Sequence, residues 1–207
     1  HSGVRLCSKA AGDQTNWDEQ THKMVQLMRP HLLSGALVGI SLGDEQVGSV
    51  PSENSYRLPF EDFEMWVNLA RGLLDELTPQ IRLSGHPAPL LYYMEGARVQ
   101  LWPRIPHNLT HFSVCQYFPS WMYKSLWIKP LVQHHVFPKL GPNTSLLVVP
   151  PVLASRTGFA SPSIFCPNIT YKQWLALDEG NMSFYTSWVF NDTRLVGFDP
   201  WPLAQDD

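Results

Sequence analysis

Three side chains with metal-binding chemistry fall four residues apart in this sequence: His107, His111 and Cys115. On a helix that spacing would line two imidazoles and a thiolate along one face, a donor set suited to zinc. Pro103 and Pro106 precede the run, residues 110–118 read as a strand, and Asn108 within it is a glycan acceptor. The expectation is therefore no metal site and no cofactor. His134 and His135 lie between Pro130 and Pro138 with no carboxylate nearby in sequence. They read as an exposed pair whose charge would follow pH if they met an interface. The acid pairs Glu61/Asp62 and Asp75/Glu76 fall on the polar face of a helix and read as solvated charges. Carboxylates capable of glycoside cleavage could be assembled only from residues distant in sequence. There is no Gly-x-Ser-x-Gly elbow, no phosphate-binding glycine loop and no His-Glu-x-x-His. On these grounds no catalytic residue is expected, and the chain reads as a binder rather than an enzyme.

The pattern with most chemical content is a set of five acceptors for N-linked glycan: Asn108-Leu-Thr, Asn143-Thr-Ser, Asn168-Ile-Thr, Asn181-Met-Ser and Asn191-Asp-Thr. About one would be expected by composition alone. All five follow residue 107, and an acceptor must be exposed to be modified. The later half is thus expected to be a sugar-covered face and the earlier half a packed one. Asn191 is the poorest acceptor, because Asp192 occupies its middle position.

The elements that would position these residues begin with a helix over 15–29. Thr15 or Asn16 caps it, Asp18 and Glu19 suit its positive end, and Pro30 stops it. Trp17, Met24, Leu27 and Met28 lie near one face. Residues 36–50 then read as extended, with a turn at Gly43-Asp44. A second helix runs from Pro59 to about Leu77 and closes at Pro79, with Phe63, Trp66, Leu69 or Ala70, Leu73 and Leu77 as its buried stripe. Beyond residue 80, Leu90–Met94 and Ala97–Trp102 flank Glu95-Gly96 as a β-hairpin would. Further strands are expected over 110–118, 145–152 and 184–190, then a turn at Asn191-Asp192 and a strand through Phe198. Helices early and short strands later predict an α+β fold, with the helices packed on a predominantly antiparallel β region with long Pro-rich loops. Two lobes are expected, a helix-containing one over 1–85 and a β-rich glycosylated one over 86–207.

Composition agrees with an ordered protein. The hydrophobic fraction of 44% and the 8 Trp, 10 Phe and 7 Tyr supply a core, and 18 Pro argue against a helical bundle. A net charge of −3 gives no sign of a nucleic-acid partner, and none is expected. The most apolar run, Leu32 to Leu42, is far short of the roughly 20 residues of a membrane helix, so no direct span is expected. Of the three cysteines, Cys115 and Cys166 share the half that looks extracellular and are expected to form a disulfide. Cys7 would pair with a missing segment, pair with another chain, or stay free. Tyr92, Tyr93, Trp102, Tyr117, Trp121, Tyr123 and Trp127 crowd a Pro-rich region and are of the kind favoured at protein interfaces.

Helices without acceptors followed by acceptor-dense strands make the chain resemble the surface subunit of a retroviral envelope glycoprotein. In lentiviral members a Trp/Met-bearing inner-domain helix faces the fusion subunit. Asn16-Trp17-Asp18-Glu19-Gln20 through Met28-Arg29-Pro30, or Phe63-Glu64-Met65-Trp66 onward, would match it. The resemblance implies a virion or cell-surface protein that binds a protein receptor for host entry, beside a membrane-anchored fusion subunit. The alternative is a host secreted or lysosomal glycoprotein that binds a ligand or acts as a hydrolase.

Overall fold

The computed structural model describes residues 14–44, 47, 58–115, 128–149, 183 and 186–198. In chain order these form helix α1 (Gln14–Leu33), strand β1 (Gly39–Asp44), helix α2 (Phe60–Leu83), strand β2 (Leu90–Glu95) and a 3-10 turn (Ala97–Leu101). Strand β3 (His111–Cys115), a short helix (Ile128–Leu131), strand β4 (Ser145–Val149) and strand β5 (Leu195–Phe198) follow. The strand order is β1-β2-β3-β4-β5, with β1 parallel to β2 and β4 parallel to β5. This overturns the antiparallel α+β expectation: helix and strand alternate, and the fold is α/β. A parallel neighbour needs a crossover of about a dozen residues or more, and α2 lies in the one joining β1 to β2.

The chain divides into two compact units, residues 1–112 with 140–144, and residues 113–139 with 145–207. In the first, α1 and α2 pack together around Thr21. Its hydroxyl donates to the Trp17 carbonyl at 2.7 Å and accepts from Trp66 Nε1 at 2.9 Å. The stripe that α2 buries is Phe63, Val67, Ala70, Leu74, Leu77 and Ile81. It is rotated from the expected one, and Trp66 and Leu73 are only half-buried. On α1, Met24 and Val25 face inward and Leu27 stands 70% exposed.

Both prolines expected to end helices lie inside them: Pro30 in α1 and Pro79 in α2. Proline inside a helix costs about 3 kcal/mol. Burying a leucine or isoleucine returns roughly 1.5–3 kcal/mol, and the turn after each proline buries one, Leu32 and Ile81. Burial offsets much of the break, so each helix runs on for several residues.

The hairpin expected at Glu95-Gly96 does not form. Leu90–Glu95 is a strand, but Ala97–Leu101 is a 3-10 turn whose Val99 is fully buried. The β1–β2 register sets Gly39 opposite Leu90, Ile40 opposite Leu91, Ser41 opposite Tyr92 and Asp44 opposite Met94. A side chain at Gly39 would place its first carbon 2.4 Å from the Leu90 carbonyl oxygen, so only glycine allows β1 this approach.

In the second unit, Leu146 and Val148 on β4 and Leu195 on β5 are buried, as are Ile128, Val132 and Val136 around the short helix. Residues 186–191 are helical, not the strand expected over 184–190. That turn buries Trp188 and leaves Phe190 82% exposed, a one-sided burial that a helix satisfies.

Candidate functional site: carboxylates at the C-terminal edge of β1 and β2

β2 begins as an apolar strand, Leu90-Leu91-Tyr92-Tyr93-Met94, and ends on a carboxylate, Glu95. Side chains alternate along a strand, so Leu91, Tyr93 and Glu95 share one phase. Tyr93 fixes which face that is. Its ring lies 4.3 Å from Phe63 of α2 and stacks 6.0 Å from Trp102, and Phe112 of β3 closes the cluster at 6.5 Å. The aromatics of this stretch that the structure describes are therefore core, with Tyr92 half-buried. Tyr117, Trp121, Tyr123 and Trp127 lie outside the described residues.

Glu95 is fully enclosed. A carboxylate in such a place is costly unless its oxygens are satisfied. Oε2 accepts from the Tyr93 hydroxyl at 3.2 Å, and Oε1 accepts from the Gly96 backbone N–H at 3.0 Å. The Tyr93 hydroxyl at the edge of the aromatic cluster thus helps to hold the acid. β1 runs in the same direction and also ends on an acid, Asp44, in register with Met94 next to Glu95. In sequence Glu45 follows it. Two neighbouring parallel strands therefore finish in acidic residues at one edge, the edge where α/β folds place their chemistry. In sequence alone Gly43-Asp44 and Glu95-Gly96 look like turns, because an acid before or after glycine is also ordinary turn composition.

The sites expected from sequence fall elsewhere. Asn108, Asn143 and Asn191 are exposed. The Asn108 amide donates to Asn68 Oδ1 at 2.8 Å, and the Asn191 amide donates to the Ser187 carbonyl at 2.7 Å. Asn168, Asn181, Cys7 and Cys166 lie outside the described residues, and Cys115 closes β3. His107 and His111 do not gather into a metal site: among the described residues no cluster of three or more such ligands occurs. Burial lowers the pKa of His111 from its ordinary value. Asp192 is held below the usual carboxylate range by the Arg194 guanidinium, which bonds it at 2.8 Å through two nitrogens. Among the described residues no helix is long and apolar enough to cross a membrane.

No model of a known protein family matches the chain, and no curated protein matches it. Among solved structures it is similar to one titled "Structure of GH113 beta-1,4-mannanase", at 16% identity and a TM-score of 0.48, over 94% of this chain and 55% of that one. The chain spans about half the length of the protein it matches. The resemblance to a retroviral surface subunit is corrected by the fold: the helices assigned to face a fusion subunit alternate with parallel strands instead of standing apart from an antiparallel lobe. The expectations of a viral receptor-binding protein and of a chain without enzymatic activity are withdrawn with it.

Proposed function

We propose that the chain is a hydrolase of the secretory pathway that cleaves glycosidic bonds with carboxylates at the C-terminal edge of β1 and β2. The observation that supports this reading is the parallel pair itself, with Asp44 ending one strand and the enclosed, twice hydrogen-bonded Glu95 ending the next. Acetal cleavage is hydrolysis that carboxylates alone perform, one as general acid and the other as base or nucleophile. The sequence offers acids at this edge and no serine elbow or His-Glu-x-x-His. Glu95 accepts from the Tyr93 hydroxyl and from the N–H of the following turn, so its carboxylate is held at the end of β2. The substrate class is an oligosaccharide or polysaccharide, and the glycan acceptors support a location outside the cytosol.

The test is turnover by the secreted chain on a panel of aryl glycosides and β-linked polysaccharides, β-1,4-mannan among them. Hydrolysis of at least one is expected. Asp44→Asn, Glu45→Gln and Glu95→Gln are then assayed on that substrate, and at least one should lose about 10²–10⁴-fold in kcat. Full activity in all three variants, or no turnover of any glycoside by the parent chain, would refute the proposal.

A further inference from the structure

The three described acceptor asparagines share a place in the topology. Asn108 lies three residues before β3, Asn143 two before β4 and Asn191 four before β5, each at the N-terminal end of its strand. In the first unit two of them belong to segments that pack side by side. The Thr144 hydroxyl donates to the Leu109 carbonyl at 2.9 Å, and a side-chain carbon at Gly141 would come 2.8 Å from the His107 ring. Asn108 and Asn143 thus stand on one exposed patch.

Asn108 carries a second feature. The hydroxyl that makes it an acceptor belongs to Thr110, and in the fold that hydroxyl is in use. Thr110 Oγ1 accepts from the Leu91 N–H at 2.7 Å and donates to the Leu91 carbonyl at 3.0 Å, while the Thr110 N–H also bonds that carbonyl at 3.0 Å. The same atom that the transferase must engage is the clamp between β2 and the start of β3. We propose that Asn108 and Asn143 form a paired N-glycan patch at the N-terminal end of the strands, and that Asn108 is modified only before Thr110 closes onto Leu91.

In that reaction Asn108 Nδ2 forms a bond to the anomeric carbon of an oligosaccharide carried on a lipid diphosphate. The bond from that carbon to the diphosphate breaks, the diphosphate leaves with the bonding pair, and the amide loses one proton to solvent. One N–H remains on Nδ2, enough to keep the 2.8 Å bond to Asn68. The sugar attached beforehand therefore leaves the folded chain able to form the contact that orients its base. Nothing in this proposal depends on the hydrolase reading, since its readouts are mass and melting temperature.

Glycopeptide mass spectrometry of the chain secreted from eukaryotic cells should find sugar on Asn108 and Asn143. Asn108→Gln should remove one glycan with the Thr110 clamp intact. Thr110→Ala should remove the same glycan and also lower the melting temperature by roughly 4–8 °C beyond Asn108→Gln, because the hydroxyl's two bonds to Leu91 and its contact with the His111 ring go with it. Thr110→Ser should keep both glycan and clamp. Finally, unglycosylated chain is offered to the transferase with its lipid-linked donor, once folded and once denatured. Modification of Asn108 is expected only in the denatured arm. An empty Asn108 in secreted protein, or equal modification of Asn108 in both arms, would overturn the proposal.

Discussion

The two ends of the strands in the first unit differ in chemistry. At the C-terminal end of β1 and β2 stand Asp44 and Glu95, the latter enclosed and satisfied by Tyr93 and Gly96. At the N-terminal end of β3 stand Asn108 and its neighbour segment with Asn143, exposed and polar. The acids end β1 and β2 and the amides precede β3 and β4, so one edge holds acid beside the aromatic cluster and the other offers amide to solvent. A parallel sheet makes this separation automatic, because every strand brings its start to one edge and its finish to the other. An antiparallel sheet would interleave the two chemistries.

The contrast can be broken most strongly at the acidic end. Loss of about 10²–10⁴-fold in kcat, roughly 3–5 kcal/mol of transition-state stabilisation, is expected for the decisive carboxylate variant, whereas Asn108→Gln and Asn143→Gln should leave kcat unchanged. Next comes the aromatic support beneath Glu95. Phe63 is fully buried against Tyr93 and Trp102, so Phe63→Ala should cost about 3–5 kcal/mol in denaturant unfolding. Glu95→Ala removes the acceptor of the Gly96 N–H and of one Tyr93 hydroxyl bond and should cost about 1–3 kcal/mol. Glu95→Gln retains an acceptor and should cost less, which separates stability from catalysis at that position. The smallest effect belongs to the other end. Burial lowers the His111 pKa, so the unfolded chain binds a proton that the folded one resists. Stability is then full above the unfolded value and falls as pH drops below it. His111→Gln should flatten that acid slope between pH 7 and 5 when melting is followed against pH.

Much of the local structure was legible in the sequence. The Phe63-to-Leu77 periodicity announced α2, and the apolar runs at Leu90–Met94 and Ser145–Val149 announced β2 and β4. The direction of the strands was not, because a buried run of four to six apolar residues reads the same in parallel and antiparallel sheets. The helix ends are set by a related effect: Pro30 and Pro79 carry a local cost, and Leu32 and Ile81 offset much of it only through tertiary burial. Glu95 was hidden by its glycine neighbour. An apolar strand that ends on an acid is a signal in its own right once the sheet is parallel, and Asp44 at the end of Gly39-Ile40-Ser41-Leu42-Gly43 repeats it.

The central claim is that substrate sugar meets carboxylates at the β1–β2 edge. An epoxide-bearing glycoside of whichever class the panel identifies will esterify a carboxylate that it reaches, and peptide mapping then locates the label. Attachment at Asp44, Glu45 or Glu95, suppressed by excess substrate, is the predicted result. A saturable, substrate-protected label on any other carboxylate would contradict the assignment.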